Sequence, residues 1–231
     1  MKKIGHRKSN IDNARAFTLI ELLVVIAVIA VIAGFTVPAL NGVKRTQFRR
    51  TASGELEQIA AALDRYKAKY GFYPPANTNN FLLPPLYYEL SGVTNNGAYF
   101  VTLDGSSRIP ISNPGNDVQA AYGVAGFVNC TKGSGEDAVL AKNFLPGLKP
   151  NRYFYPVTNN NVPTTVLVTS VRGPDSGYAP LLAVDVNPFR YRYPGVNNPG
   201  SYDLWIKLLI SGKTYLICNW SRQVQINSPL P

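Results

Sequence analysis

The chain contains one long apolar run, residues 17–40, and Glu21 is the only charged residue in it. As a helix rising 1.5 Å per residue, the run would be about 36 Å long, enough to cross the ~30 Å hydrocarbon core of a bilayer. Basic residues stand on both sides, where they would meet lipid headgroups: Lys2, Lys3, Arg7, Lys8 and Arg15 before the run, and Lys44, Arg45, Arg49 and Arg50 after it. The run therefore predicts a transmembrane helix with a short basic segment before it and a large domain after it.

The formal net charge of +10 raises the question of a nucleic acid partner. We interpret residues 1–16, which are polar, basic and without apolar periodicity, as a targeting leader. Without this leader the chain has 18 basic and 12 acidic residues, a net charge of +6. Nucleic acid is therefore not an expected partner. An alternative interpretation of the N-terminus is a conventional signal peptide, cut after the apolar run near Ala33 and Gly34.

Helical periodicity resumes after the second basic cluster. Apolar side chains recur at three- and four-residue steps through residues 41–71 and share one helix face: Leu56, Ile59, Ala60, Leu63, Tyr66 and Tyr70. Gly71 and the two prolines at 74 and 75 predict where this helix ends. One helix over residues 17–70 would be about 80 Å long. Gly34 and Pro38 are poor helix-forming residues, and Pro38 cannot donate a backbone hydrogen bond. They predict either a simple bend in the helix or a stretch that loosens when subunits pack.

From residue 72 onward the composition is rich in Asn, Pro, Gly and Tyr, with short β-prone runs, so residues 72–231 are predicted to form a soluble head. Candidate strands are 98–103, 122–128, 152–157, 164–171, 181–186, 202–210 and 214–220. Residues 136–142 are a candidate short helix. The predicted fold class is α+β, with the long N-terminal helix packed on an antiparallel sheet.

The residues offer little for catalysis. The only histidine, His6, lies in the predicted leader, so the mature chain has no imidazole for a Ser-His or Cys-His nucleophile system. The sequence also has no Walker-type phosphate loop, no Cys-x-x-Cys pair and no His-containing metal motif. We predict a protein that is not an enzyme and needs no cofactor. Cys130 and Cys218 can form one disulfide in an exported domain, or remain two separate buried thiols.

Residues 16–27, Ala-Phe-Thr-Leu-Ile-Glu-Leu-Leu-Val-Val-Ile-Ala, resemble the N-terminal signature of type IV prepilins and type II secretion pseudopilins. The resemblance implies that a membrane-embedded prepilin peptidase cuts on the cytoplasmic side after Ala16 and methylates the new amino group of Phe17. Glycine is usual at the position of Ala16, and alanine is small enough for cleavage to be tolerated. The same resemblance implies a single pass through the inner membrane, with the N-terminus cytoplasmic before cleavage and the head periplasmic.

Glu21 is an unfavourable residue for a membrane helix. Inserting an acid costs about 2.5–3.5 kcal/mol of free energy at the bilayer centre and less near the helix end. The resemblance implies that its carboxylate meets the N-terminal amine of a neighbouring subunit and helps to set the axial register of a filament. The alternative is an interfacial acid that turns toward headgroups. Pilins also commonly have a proline 21 residues after the new N-terminus, which favours the loosening hypothesis at Pro38.

Further segments resemble the major, G-type pseudopilin of type II secretion. One is the helix end at 59–67 with Gly-Phe-Tyr-Pro at 71–74; the others are Asn-Pro-Phe-Arg-Tyr-Arg-Tyr-Pro-Gly at 187–195, Tyr-Asp-Leu-Trp at 202–205 and Asn-Trp at 219–220. The middle, residues 75–186, is longer than the usual connection in that family. Many members hold calcium in a late Asp-rich loop, but no Asp or Glu follows Asp203 here, so we expect no calcium site.

The predicted function is that of a structural subunit of a membrane-anchored helical filament, a pseudopilus, in type II protein secretion. Expected partners are further copies of the chain, prepilin peptidase, the inner-membrane assembly platform, minor pseudopilins, secreted protein substrates and the lipid bilayer. One alternative is a type IV pilin for adhesion, motility or DNA uptake. Another is a membrane-tethered binding protein whose aromatic surface comprises Tyr153, Tyr155, Tyr191 and Tyr193.

Overall fold

The computed structural model describes residues 18–111, 116–133, 135–159, 162–173 and 186–228. The first element is α1 (Leu19–Tyr70), and the chain divides into two compact units, Met1–Arg45 and Thr46–Pro231. The helix ends where the sequence predicts. Gly71 has a φ of 84°, a left-handed conformation that glycine adopts at low cost, and its N–H donates to the Lys67 carbonyl at 2.7 Å.

The second unit combines short helices with antiparallel sheets. In chain order its further elements are α2 (Leu86–Ser91), β1 (Val93–Asn95), β2 (Tyr99–Thr102), β3 (Arg108–Pro110), α3 (Asn116–Tyr122), β4 (Tyr153–Asn159), β5 (Val162–Leu167), β6 (Arg190–Arg192), β7 (Asp203–Ile210), β8 (Lys213–Cys218) and β9 (Ser221–Ile226). The described strands form a three-stranded sheet β1-β2-β3, a pair β4-β5 and a four-stranded sheet β6-β7-β8-β9. Helix plus antiparallel sheet confirms the α+β class.

The second half of α1 and the four-stranded sheet share one apolar core. The predicted helix face is confirmed, because Leu56, Ile59, Leu63 and Tyr66 are buried in this core. Alternate residues of β7 join them, as the two-residue period of a strand requires: Leu204, Ile206, Leu208 and Ile210. Trp205 faces the other way and packs with Leu216 and Cys218 in a separate small cluster. The sheet therefore has a buried face toward the helix and a second, smaller apolar cluster behind it.

The middle of the chain adds to the same core. All six residues of α2 are buried, and Tyr87, Tyr88 and Leu90 belong to the cluster that includes α1. Tyr122, at the end of α3, and Phe127, in the loop after it, are also members. Tyr88 and Phe127 stack with ring centroids 4.9 Å apart. The enlarged middle is thus packed on the helix rather than being a separate appendage.

Five predicted strands are confirmed within a few residues, as β2, β4, β5, β7 and β8. The strand predicted at 122–128 is wrong, because α3 ends at Tyr122 and Gly123 follows with a φ of 69°. The helix predicted at 136–142 is wrong beyond one 3₁₀ turn, Gly135–Asp137, since Val139 instead pairs with Lys132 in an antiparallel bridge. The strand predicted at 181–186 falls almost wholly outside the described residues.

Candidate functional site

The start of α1 is closed by a reciprocal side-chain cap. Thr18 precedes the first helical residue, and its N–H and its hydroxyl donate to Glu21 Oε2 at 2.9 and 2.7 Å. The Glu21 N–H donates back to Thr18 Oγ1 at 3.3 Å. This is a capping box, in which Thr and Glu three residues apart satisfy N–H groups that the first helical turn leaves unpaired. The Thr-x-x-Glu part of the predicted processing signature therefore also encodes the beginning of the helix.

Glu21 keeps one carboxylate oxygen available after this capping. Among the residues that the structure describes, only Thr18 donates to the Glu21 carboxylate, and both donors reach Oε2. Ala16 and Phe17 lie outside the described residues, so cleavage after Ala16 and methylation of Phe17 stay predictions. The free oxygen is geometrically compatible with a second, external donor.

The first part of α1 exposes apolar side chains on every side. Over residues 19–32 the exposed fraction of the large apolar side chains ranges from 46% at Val25 to 81% at Leu19. The set is Leu19, Ile20, Leu22, Leu23, Val24, Val25, Ile26, Val28, Ile29, Val31 and Ile32. Because these positions are nearly consecutive, they cover the whole circumference, and a helix that is apolar all round requires lipid or protein around it.

Within the part of the chain that the structure describes, no helix is both long enough and apolar enough to span a bilayer.

Gly34 and Pro38 both lie inside α1, which runs from Leu19 to Tyr70 through both positions. A Cβ atom added to Gly34 would have no neighbour within 4 Å, so no close contact of the described residues accounts for a glycine there. The loosening of this stretch during assembly stays a prediction. The helical conformation at both residues is the state from which such loosening would start.

The end of α1 meets the C-terminal segments in an aromatic cluster. The rings of Tyr73 and Tyr202 lie edge to face with centroids 4.7 Å apart, and Tyr193 lies 5.8 Å from Tyr73. The Tyr191 hydroxyl donates to the Pro74 carbonyl at 2.8 Å, and Lys67 lies 4.5 Å above the Tyr73 ring. The segments that resemble the G-type pseudopilin at the two ends of the chain are therefore in direct contact.

Asp203 organises the turn before β7. Its buried carboxylate accepts the N–H groups of Val196, Asn197 and Asn198 at 2.8–3.0 Å, together with the side-chain amide of Asn197 at 3.0 Å. Three of these donors reach Oδ2 and one reaches Oδ1, so the carboxylate holds the turn together. Gly195 is required by the same turn, because a Cβ there would lie 2.7 Å from the Asn198 carbonyl and 2.8 Å from Asp203 Oδ1. Among the described residues, no three His, Cys, Asp or Glu side chains lie where they could hold a metal ion.

Two asparagines of the predicted landmarks brace the sheet. Asn187 donates to the carbonyls of Val171 and Lys207 at 3.0 and 2.8 Å. Asn219 accepts the Leu204 N–H at 2.9 Å and donates to the Tyr202 carbonyl at 2.9 Å. Each asparagine uses its side-chain amide to tie β7 to a neighbouring segment. These landmark residues have structural roles in the head.

A buried carboxylate in the enlarged middle clamps the helix end. Glu89, on α2, is fully buried and accepts the Val128 and Asn129 N–H groups at 2.9 and 3.0 Å and the Tyr66 hydroxyl at 2.9 Å. Burial raises the pKa of Glu89, and the three donors oppose that rise. Asn129 also accepts the Tyr70 hydroxyl at 2.7 Å. Two tyrosines one turn apart on α1 are thereby fixed to the middle of the chain.

An ion pair makes a second clamp nearer the start of the head. Glu55 on α1 and Arg152 lie 3.4 Å apart and are both almost fully buried. Glu55 also accepts the Thr169 hydroxyl, and the Ser170 N–H and hydroxyl at 3.0 and 2.5 Å. Arg152 reaches Gln58, one turn along α1, at 3.3 Å. The loop after β5 is therefore bound to the helix through a charged side chain.

The two cysteines are free thiols in different apolar clusters. Cys130 packs against the main core, and Cys218 packs with Trp205 and Leu216 behind the sheet. Burial raises the pKa of both thiols. Cys130 is half-buried and Cys218 is buried, and the two thiols are separate here, so a disulfide between them stays a prediction.

The Glu89 and Glu55 clamps are not predicted by the sequence patterns described above. A usable signal existed for Glu89, because a single acid stands inside the apolar segment Leu-Tyr-Tyr-Glu-Leu at 86–90. No comparable signal marks Glu55, since an acid on the predicted helix is ordinarily a solvated surface residue. Its burial follows only from the loop that folds over it.

Comparison with known proteins supports the class that these features define. Residues 11–37 match the family model described as the prokaryotic N-terminal methylation motif. The matched segment includes the capping box and the exposed apolar part of α1. With an α+β head following it, the chain has the features of a pilin-like subunit. No solved structure matches the chain.

Relatives narrow the class to one family. The chain is 32% identical over 108 residues to the type II secretion system core protein G of Escherichia coli (strain K12), covering 46% of this chain and 70% of that protein. The chain therefore belongs to the family of type II secretion system core protein G. The proteins of the same description from Pectobacterium carotovorum subsp. carotovorum and Pseudomonas aeruginosa are 40% and 38% identical over 60 and 58 residues, matches that cover 26% and 25% of this chain and 38% and 41% of the relatives. Less than half of each of these two relatives is matched.

Proposed function

We propose that this chain is a structural subunit of a pseudopilus, a helical filament that takes part in type II protein secretion. The observation that carries the proposal is the 108-residue match to core protein G, which is much longer than the methylation motif at 11–37. A match confined to the motif would support any protein processed by this route. The longer match supports the secretion branch.

The exposed apolar surface of α1 supports assembly through the helix. Eleven large apolar side chains between Leu19 and Ile32 are 46–81% exposed in the single chain, and complete burial of such a side chain from full exposure is worth about 1.5–3 kcal/mol. A membrane holds the subunit before assembly, in a single pass through the inner membrane. Neighbouring helices replace the lipid when the subunit enters the filament.

The subunit is prepared by prepilin peptidase, which removes residues 1–16 after Ala16 and methylates Phe17. Glu21 then offers its uncapped carboxylate oxygen to the amine of a neighbouring Phe17. Two charges that would each be costly in an apolar environment neutralise one another and fix the register. The assembly platform, minor pseudopilins and secreted proteins are the further partners of this function.

Processing is tested by intact-mass and N-terminal analysis of the full-length protein coexpressed with a prepilin peptidase. The expected product begins at methylated Phe17, and the Ala16→Leu variant, with a bulky residue at the cut, accumulates as the precursor. A mature chain that begins after Ala33 would contradict the proposal, because it would lack most of the apolar run.

The role in secretion is tested by deleting the gene and measuring two outputs separately. Loss of exoprotein release with unchanged twitching and adhesion is the expected result. The reverse pattern would assign the chain to a type IV pilus instead.

A further inference from the structure

A basic groove lies between α1 and the edge strand β9. Two adjoining clefts of about 530 and 350 Å³ share Ser53, Glu57 and Val224 in their walls and form one continuous depression. Arg49, Arg50 and Arg222 line it as well, so that three arginines face one glutamate. Arg49 lies 5.4 Å above the Tyr215 ring, and its buried Nε has no hydrogen-bond partner in the described part of the chain. The groove thus has an excess of positive charge.

The opposite charge stands on a projecting loop of the enlarged middle. We call residues 135–140 the acidic finger. It contains Glu136 and Asp137 in an exposed 3₁₀ turn, followed by Val139 and Leu140, which are 61% and 67% exposed. Within the described residues, neither carboxylate has an ion pair or a hydrogen bond. Lys132, Lys142 and Lys69 stand around the finger, so its negative charge is confined to Glu136 and Asp137. Two exposed acids beside two exposed apolar side chains match a basic groove with apolar walls.

The finger is held in place by the rest of the head. The Lys132 and Val139 backbones exchange hydrogen bonds of 3.0 and 2.9 Å at its base. The Lys69 ammonium donates to the Leu140 carbonyl at 3.0 Å, which fixes the finger beside the last turn of α1. A loop closed in this way loses little conformational entropy on docking.

The finger and the groove lie at different heights along α1. Arg49 and Lys69 are 20 positions apart on one helix, which corresponds to about 30 Å at 1.5 Å per residue. Two antiparallel copies could pair both surfaces at once and close a dimer, but copies inserted in the same direction in one membrane lie parallel and cannot. They make a head-to-tail contact, which repeats into an open helical polymer.

We propose that in the filament the acidic finger of one subunit docks into the basic groove of a second copy of the chain, with Glu136 and Asp137 facing Arg49, Arg50 and Arg222. Val139 and Leu140 cover the apolar wall formed by Val224 and the buried Leu56. This inference rests on the proposed filament function and adds to it a contact made by the heads. It gives the enlarged middle a role in assembly.

Charge reversal tests the contact in the full-length, processed protein. We expect E136K/D137K and R50E/R222E each to lower the amount of sheared, sedimentable filament roughly tenfold, since like charges then face one another. The combination of all four changes should restore assembly. R192E, which reverses an exposed arginine on β6 outside the groove, is the matched control and should assemble normally. Thermal unfolding of each extracted variant shows whether the fold is intact.

The possible results distinguish a failure of the docking contact from a failure of the proposed filament function. Wild-type protein that is processed but forms no filament would overturn the filament function, and the docking with it. If the wild type forms filaments and the E136K/D137K variant forms as many, the docking alone is overturned. The groove arginines would then be assigned to contact with lipid headgroups. Failure of the fourfold variant to recover, with its fold intact, would also overturn the docking.

Crosslinking tests the register of the contact. A photoreactive benzophenone residue in place of Leu140 should link, within wild-type-like filaments, to peptides from residues 46–60 or 217–226 of another subunit. Links that map only to other regions would overturn the proposed pairing.

Discussion

Glu89 shows how single residues in the enlarged middle control the stability of the head. Its carboxylate is fully buried and held by the Val128 N–H, the Asn129 N–H and the Tyr66 hydroxyl. Removing the acceptor leaves these donors buried and unpaired, at about 1–3 kcal/mol for each group. We therefore expect Glu89→Leu to unfold at a clearly lower denaturant concentration than the wild type.

The same residue predicts a pH dependence. Burial raises the pKa of Glu89 above the ordinary value of about 4.3 that it has in the unfolded chain. The folded protein then holds this proton more tightly than the unfolded chain does, so its stabilising effect is complete below about pH 4.3 and is lost as the pH rises through the raised pKa. Denaturant titrations of full-length protein in micelles from pH 4 to 8 should show a fall in the free energy of unfolding that Glu89→Gln lacks. Parallel curves for the two proteins would contradict this assignment.

The cysteines give a second prediction at this scale. Because Cys130 and Cys218 are free and burial raises the pKa of both thiols, little thiolate is present in the folded protein near neutral pH. We expect slow alkylation of the native protein and rapid addition of two alkyl groups once it is denatured without reductant. Intact-mass measurement checks this, and a denatured chain that takes up no alkyl group would show that the disulfide exists.

At the scale of single elements, the turn before β7 depends on Gly195. A Cβ at this position would approach the Asn198 carbonyl to 2.7 Å and Asp203 Oδ1 to 2.8 Å. Gly195→Ala should therefore destabilise the protein by about 1–3 kcal/mol. Gly200→Ala, in the same loop, is the matched control, because its Cβ would meet nothing within 4 Å. Thermal unfolding should separate the two variants, and equal midpoints would refute the packing argument.

Elements with a regular pattern were predictable from the sequence, and those that depend on distant contacts were not. The face of α1 with Leu56, Ile59 and Leu63 and the alternation along β7 follow from local periodicity. Strands β1, β3 and β6 have only three residues each, too few for a pattern, and β9 is an exposed edge strand with mixed polarity. Tyr122–Val128 contains β-prone residues, yet the chain turns at Gly123, where a Cβ would lie 2.6 Å from Asn77 Oδ1.

The candidate site also has a part that local sequence predicts and a part that depends on distant contacts. The Thr18 and Glu21 pair and the apolar run are local, and the sequence was sufficient to place them. The clamps of Glu55 and Glu89 join positions separated by 97 and 39–40 residues along the chain, measured from Glu55 to Arg152 and from Glu89 to Val128 and Asn129. Such pairings are specified by the packed fold and have no signature in a single segment.

At the scale of the whole molecule, a substitution at Glu21 can separate its role in capping α1 from its proposed role in pairing with a neighbouring subunit. Glutamine can reach back to the Thr18 N–H as glutamate does in a capping box, but it has no charge to offer a neighbouring amine. We expect Glu21→Gln to be cleaved and methylated normally and to yield at least tenfold less filament, which corresponds to about 1.4 kcal/mol of lost pairing. Quantitative shearing assays with N-terminal mass analysis measure both steps. Normal filament yield would assign Glu21 to the cap alone.

The clamps between α1 and the enlarged middle have a mechanical consequence. Four side chains of α1 bind the rest of the head over about 21 Å of helix. Glu55 binds Thr169 and Ser170, and Arg65 binds the Phe144 carbonyl. Tyr66 binds Glu89, and Lys69 binds the Leu140 carbonyl. Tension directed along the helix axis loads these bonds in parallel as shear, so they must rupture together rather than peel one after another. In an assembled fibre, a load carried by α1 would pass to the enlarged middle of the head through these side chains.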